Sequence, residues 1–266
     1  MSGITTFDTI ASFRAALTEV RRSGRTVGLV PTMGYLHEGH VSLMRRAAEE
    51  NDVAAATIFV NPTQFGANED FSRYPRDLDR DLALAADAGV TLLFTPPVEE
   101  MYPDGPGGGL TTVTVAEVSE GMEGAARPTH FAGVATVVAK LFNIAGPCRA
   151  YFGEKDWQQL QVITRMVRDL DFPIEVVPCQ IVREADGLAM SSRNVYLSPE
   201  ERAAAVVLSR ALRAAAAADD PVSVMKDTVA TEPLVELDYA ELHDDRLLIA
   251  ARVGTTRLLD NMEYSR

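Results

Sequence analysis

The chain holds four histidines, and two of them, His37 and His40, stand three residues apart in Val27-Gly-Leu-Val-Pro31-Thr-Met-Gly34-Tyr-Leu-His37-Glu-Gly39-His40. The stretch reads as a short buried strand, a turn marked by proline and glycine, and the first turn of a helix that carries both imidazoles. Side chains at i and i+3 share a helix face, and Gly39 keeps a side chain out of the space between the rings. A helix N-terminus has unpaired amides and the positive end of the helix dipole, so it is an anion site. A polyphosphate is the ligand this arrangement invites. A metal held by His37, His40 and Glu38 competes for the same residues, but no cysteine or third histidine stands near them in sequence.

Two other stretches suit the same ligand. Gly153-Glu154-Lys155-Asp156 follows a short apolar run and opens a helix. Lys155 can aim a compact positive charge at phosphates, and Asp156 could accept from a ribose hydroxyl, as acidic residues do in dinucleotide folds. Met190-Ser191-Ser192-Arg193 offers hydroxyl donors and a guanidinium, a phosphate clamp if the segment folds over the ligand.

The elements that must position these groups alternate in type. Apolar spacing predicts a helix over Phe7–Arg22, ended by Gly24, and strands over Thr26–Val30 and Val53–Val60. The unbroken run VAAATIFV fits a parallel strand covered on both faces. A long polar loop, Asn61–Pro75, follows a strand end, where open α/β sheets bind ligands. Next come a helix over Arg76–Ala88, a strand over Val90–Phe94, a possible short strand at Thr111–Val115 and a loop holding Glu123, Arg127 and His130. A helix over His130–Ala145, a strand over Arg149–Gly153, a helix burying Leu160, Ile163, Val167 and Leu170, and a strand over Ile174–Val177 complete an α/β fold. The expected architecture is a Rossmann-like open parallel sheet over residues 1–180. Residues 181–266 read as a smaller α+β lid domain. It holds the small, polar segment 183–194, an alanine-rich helix over Ser198–Ala218, one further helix and three short strands.

With 266 residues, 47% hydrophobic and 24% charged, the chain can bury a large core. A formal net charge of −13 argues against general affinity for nucleic acid, so an anionic ligand must be held by local positive groups. Two widely separated cysteines fit a reducing compartment. No run approaches a membrane span, and MSGITTFDTIASFRAAL has no apolar signal core. A cytoplasmic protein with no membrane or nucleic-acid partner is expected.

The strings VPTMGYLHEGH, FVNPTQFG with the later YPR, RPTHF-x-GV, FGEKDWQQL, READGLAMSSRN and TRLLDN run in order from about Arg25 to Asp260. They resemble the pantothenate synthetase (pantoate–β-alanine ligase) family. H-x-G-H alone is shared with other nucleotidylyl transferases and class I aminoacyl-tRNA synthetases; the longer strings are far more specific. The resemblance implies ATP-dependent condensation of pantoate with β-alanine through a pantoyl adenylate, with Mg²⁺ accompanying ATP, in a homodimer. It implies that His37, His40, Lys155, Ser191, Ser192 and Arg193 are catalytic. ATP would be bound by these and by Pro31, Thr32, Met33, Gly34, Gly153, Glu154, Asp156 and Met190. Gln64 and Gln159, with Met33, would hold pantoate; Asn61 and Arg127, beside Gln64, would stand toward β-alanine or support the site from behind the residues that touch the ligand. No protein-borne metal site is expected.

The chain departs from the family pattern in three places. Ala132 stands where an arginine is expected, Leu84 where some relatives carry a polar residue (Asp81 being retained), and the tail between His243 and Leu247 is short. A nucleotidylyl transferase, a tRNA-charging relative and a simple binding module are the competing functions. The first would need cations for an acceptor phosphate, the second a less acidic chain, and the third would have little use for so many phosphate-directed groups.

Overall fold

A computed structural model describes residues 3–66 and 69–264; Ala67 and Asn68, in the predicted polar loop, lie outside the described residues. The chain forms two compact units. One contains residues up to Glu154 together with Gln158–Cys179, and the other contains Lys155–Trp157 and the chain from Gln180 onward.

In the first unit the elements run β1 (Thr5–Phe7), α1 (Ile10–Arg22), β2 (Val27–Thr32), α2 (Glu38–Glu50), β3 (Val53–Ile58), α3 (Leu78–Asp87) and β4 (Val90–Phe94). They continue with α4 (Val98–Met101), α5 (Met122–Ala126), α6 (His130–Ala145), β5 (Cys148–Gly153), α7 (Trp157–Asp169, entered from the other unit) and β6 (Ile174–Cys179). The strands form one parallel sheet in the order β1-β4-β3-β2-β5-β6. Alternate residues of β3 serve opposite cores, as strand geometry requires. Val53 and Ala55 join the core with Phe13, Val134 and Ile163, while Ala54 and Ala56 join the one with Val41, Met44 and Ala85. The strand order reverses at β2, with β3 and β4 to one side and β5 and β6 to the other. The crevice beyond the C-terminal ends of β2 and β5 is therefore the topological switch point, where open α/β sheets take their ligands.

Several sequence expectations need correction. The first helix starts at Ile10 behind a Thr9 cap, because Thr5–Phe7 pairs with β4 as an edge strand. Thr111–Val115 joins no ladder among the described residues; instead the Val113 amide donates to Thr136 Oγ1 (3.0 Å). A short helix, α5, occupies part of the predicted loop before His130. On α7 the buried apolar positions are Leu160, Val162, Ile163 and Met166, with Val167 partly buried; Leu170 lies past the helix end and is exposed.

In the second unit the chain gives α8 (Pro199–Ala205), α9 (Val207–Ala215), α10 (Pro221–Ala230) and an antiparallel sheet of β7 (Val235–His243), β8 (Arg246–Val253) and β9 (Thr256–Glu263). The expected single alanine-rich helix is thus two, divided at Val206. Ser198 and Glu201 form a reciprocal capping box at its start, with Pro199 in the first turn. The short tail closes β7 to β8 through Asp244 and Asp245 alone, with Asp244 at φ 52°, a conformation aspartate tolerates better than most residues. Leu208, Leu212, Met225, Leu247, Ile249 and Leu258 share this unit's core.

Candidate active site

The end of β2 leads through Met33–Leu36 into α2, and His37 is not inside that helix, as its spacing from His40 suggested, but caps it. Its backbone is extended (φ −134°, ψ 174°), and its side chain takes the place usually held by Ser, Thr or Asp. His37 Nδ1 accepts from the Gly39 amide (3.2 Å), and His40 Nδ1 accepts from the His37 amide (3.4 Å). The rings still lie side by side, with centroids 4.1 Å apart and planes tilted by 38°. A neutral imidazole whose Nδ1 accepts carries its proton on Nε2. The capping bonds therefore make Nε2–H a donor on both rings. The imidazoles, rather than the Gly39 and His37 amides they consume, are what this helix start can offer to an anion.

Gln64 lies in a 3₁₀ turn over Pro62–Gln64 just beyond β3 and is buried. Its Nε2 reaches Met33 Sδ at 3.2 Å, so these two predicted site residues do meet. Behind Gln64 stands Asn61, 1% exposed. Asn61 Nδ2 donates to Gln64 Oε1 (3.0 Å) and Gly133 O (3.3 Å). Its Oδ1 accepts from the Thr63 hydroxyl (2.9 Å) and Tyr102 Oη (2.7 Å). The α6 backbone closes on this turn at Gly133, where a Cβ would fall 2.3 Å from Thr63 O. Arg127 is engaged in the same wall. It binds both Glu69 oxygens (2.8 and 2.6 Å) and contacts Gln64 O (3.3 Å) and His130 Nε2 (3.0 Å). Asn61 and Arg127 thus hold Gln64 in place, with their polar atoms directed into the protein.

His130 completes that wall. Its Nδ1 lies 3.0 Å from Gln64 O, which can only accept, and Arg127 can only donate to Nε2, so the ring is the neutral Nδ1–H tautomer. Burial, followed by the Arg127 charge, pushes its pKa down to about 4. Burial would raise the Glu69 carboxyl, but the Arg127 bonds outweigh it and hold Glu69 below its ordinary value.

β5 pairs with β2 at Gly28 and Leu29, which brings the Gly153 end of β5 beside the end of β2. A side chain on Gly153 would meet nothing within 4 Å, so packing does not require this glycine. Glu154–Asp156 forms a 3₁₀ turn leading into α7. Gln158 is buried and spends its amide on Val118 O, Glu120 O and the Glu123 amide. Gln159, the next residue, is half-buried and has no side-chain hydrogen bond among the described residues.

The second unit carries the other predicted groups. Lys155 Nζ lies 3.5 Å from Asp156 Oδ1, and Lys155 O accepts from Asn261 Nδ2 (2.8 Å). Trp157 packs edge-on against His243, 5.4 Å between centroids. The segment 183–194 folds on itself through an Arg183–Ala189 bridge, and Arg183 binds both oxygens of buried Asp260 (2.6 and 2.9 Å). Ser191 caps a 3₁₀ turn over Ser192–Tyr196 by accepting from the Arg193 amide (3.3 Å); Ser192 is buried, and the Met190 amide donates to Val182 O (3.0 Å).

Three supporting residues were not assigned from sequence: Asp81, Tyr102 and Glu69. Asp81 had a signal available, since it shares a face of the α3 segment with Ala85 and Ala88, both buried. A carboxylate on an apolar face calls for partners. Tyr102 and Glu69 carry no such mark. Among the described residues no three His, Cys, Asp or Glu side chains come together as a metal site, and no helix is long and apolar enough to cross a membrane.

A family model described as pantoate-beta-alanine ligase matches residues 5–263. The chain is 53% identical to the pantothenate synthetase of Rhizobium meliloti (strain 1021), over 96% of this chain and 94% of the relative. It is 54% identical to that of Roseiflexus sp. (strain RS-1), over 98% of each. The crystal structure of pantothenate synthetase from Thermus thermophilus superposes with a TM-score of 0.92 at 48% identity, covering 99% of this chain and all of that one. The Francisella tularensis pantoate-beta-alanine ligase, solved as a complex with beta-gamma ATP and beta-alanine, gives 0.87 at 34% identity over 98% of each chain. With a switch-point sheet, a histidine-capped helix at its centre and similarity along its whole length, the chain belongs to the pantoate-beta-alanine ligase family.

Proposed function

We propose that the protein condenses pantoate with β-alanine at the expense of ATP, in two displacements. The pantoate carboxylate attacks the α-phosphorus of ATP, the bond to the bridging oxygen breaks, and pyrophosphate leaves with that electron pair. The amine of β-alanine then attacks the acyl carbon of the pantoyl adenylate, loses a proton, and expels AMP. The observation that carries this reading is the pair of Nδ1-capped imidazoles at the end of β2 in a chain of this family.

Charge accumulates on the phosphate oxygens during the first displacement, and fixed donors aimed at it stabilise the transition state without reorganising. His37 and His40 supply such donors through Nε2–H. Lys155, Ser191, Ser192 and Arg193 are assigned to the β- and γ-phosphates, and Gly153, Glu154, Asp156 and Met190 to the nucleotide, with Asp156 on the ribose. Gln64 and Gln159 hold the hydroxyl and carboxyl oxygens of pantoate, since an amide can both donate and accept. Pro31, Thr32, Met33 and Gly34 shape the wall of that pocket. Holding the carboxylate in line with the α-phosphorus supplies much of the remaining acceleration. ATP is taken as its magnesium complex. A cytoplasmic homodimer belongs to the same proposal, and sedimentation tests the assembly.

The discriminating assay follows pyrophosphate and AMP with ATP and pantoate, with and without β-alanine. Pantoate-dependent pyrophosphate formation and β-alanine-dependent AMP release are expected. Release of AMP that ignores β-alanine would overturn the ligase reading. His40→Ala and Lys155→Ala are expected to abolish pyrophosphate formation in folded protein, and activity in either variant would refute the phosphate roles.

A further inference from the structure

The turn that delivers His37 is held from a helix that carries none of the assigned site residues. Tyr35 and Leu36 point successive amides at one carboxylate, Asp81 of α3: Tyr35 N donates to Oδ2 (2.6 Å) and Leu36 N to Oδ1 (2.7 Å). Gly34 and Tyr35 both have positive φ (82° and 49°), so the amides turn toward a common point. Such a concavity of backbone N–H groups is an anion nest. Here the anion belongs to the protein. Asp81 is 1% exposed, and a Cβ on Gly34 would lie 3.0 Å from Oδ2 and 2.9 Å from Ile58 Cγ2. Leu36 is fully buried in the core that also takes Ala85 of α3, and the Arg80 guanidinium lies over the Tyr35 ring at 5.2 Å, so α3 bears on the turn through side chains as well as through Asp81.

We infer that Asp81 is a positioning residue for the two histidines: by filling the Tyr35–Leu36 nest it sets where His37 enters α2, and so which ring nitrogen each imidazole presents. The chain of contacts is short. Asp81 fixes the amides one and two residues before His37, the His37 amide donates to His40 Nδ1, and the His37 ring takes the Gly39 amide. Burial raises the Asp81 carboxyl above its ordinary range against the pull of the two amide bonds, which marks a carboxylate retained in an unfavourable place for the bonds it makes. This role rests on the phosphate-facing reading of His37 and His40 given above.

Asp81→Asn removes one of the two acceptors and turns an NH₂ toward an amide. The direct readout is the ring tautomer, observed by two-bond ¹H–¹⁵N spectra of protein labelled at its four histidines. In the parent protein His37 and His40 should each show Nε2–H, and His130 should show Nδ1–H. In Asp81→Asn the first two should lose their single-tautomer signature while His130 keeps its own. kcat for pantoate-dependent pyrophosphate formation should fall about tenfold to a hundredfold, as expected for misplaced catalytic groups, with KM for β-alanine within about twofold. Gly34→Ala, which presses on Asp81 Oδ2 from the other side, should give the same histidine signature and serves if Asp81→Asn fails to fold. Unchanged His37 and His40 signals in either folded variant would overturn the assignment. So would parallel loss of all three signatures, which would mean that Asp81 supports the whole unit. A parent protein without pantoate-dependent pyrophosphate formation would instead refute the ligase reading, because the tautomer measurement does not depend on activity.

Discussion

Asn61 and Gln64 form one hydrogen-bonded unit, and only Gln64 is assigned to substrate. With its Oε1 committed to Asn61 Nδ2, Gln64 must turn its Nε2 toward Met33, so Asn61 decides which end of the amide faces the pocket. Asn61→Leu would strand Gln64 Oε1 in the interior and leave Tyr102 Oη only its contact with the Thr63 hydroxyl (3.3 Å). We expect a loss of about 1–3 kcal/mol, measured by urea unfolding, with KM for pantoate rising more than KM for ATP. His130, at the back of the same turn, makes a pH-dependent contribution. Its folded value of about 4 lies below the ordinary 6.5, so the unfolded chain takes up the proton first. The stability this neutral ring confers is complete above pH 6.5 and is lost as pH falls from there through 4, on the order of 3 kcal/mol in all. Asp81 and Asp260, whose carboxyls are raised by burial, oppose this trend. The test is therefore a comparison: His130→Gln should have a shallower fall in unfolding free energy between pH 6.5 and 4.5 than the parent. An equal slope would contradict the neutral, buried histidine.

The elements differ in how plainly their sequences announce them. Helix α6 was readable to the residue because its apolar run begins at His130 and Gly146 ends it at φ 70°; Thr129 makes no side-chain cap bond. The strands β2 to β5 were readable as largely apolar runs, since a parallel sheet buries both faces of its inner strands, and the edge strand β6 as a shorter one broken by the exposed Glu175. The edge strand Thr5–Phe7 was not, because what makes it a strand is the free edge of β4, 87 residues away in the chain. At the site, residue types and order suggested the set proposed to face phosphate, but local geometry stayed hidden. Spacing placed His37 on the helix, whereas its side chain accepts the bond that makes it the cap. Asn61 and Arg127 were expected either toward β-alanine or behind the residues that touch the ligand, and sequence does not choose between these because it gives no account of which polar atoms are already spent on neighbours. Gly133 belongs at this scale too. Gly133→Ala puts a methyl against Thr63 O and must push α6 off the Pro62–Gln64 turn. A cost of about 1–3 kcal/mol is expected, read as a lower Tm, with a larger KM for pantoate. A Tm change without any effect on pantoate would mean the turn can shift without moving Gln64.

At the level of the whole molecule, a chain with net charge −13 is proposed to take a polyanion as substrate. The long-range field opposes ATP, so binding must rest on groups acting within a few ångströms, where a low-dielectric site strengthens them. The sheet topology supplies the place, since β2 and β5 end together where the strand order reverses. A linear division at residue 180 does not reveal that Lys155–Trp157 packs with the C-terminal part of the chain, through the Asn261–Lys155 bond and the Trp157–His243 contact. The pantoyl adenylate is the central claim, and isotope transfer tests it most directly. With pantoate labelled with ¹⁸O in its carboxylate, one labelled oxygen should appear in the phosphate of AMP and none in pyrophosphate. AMP free of label, or formation of ADP and labelled inorganic phosphate, would contradict it.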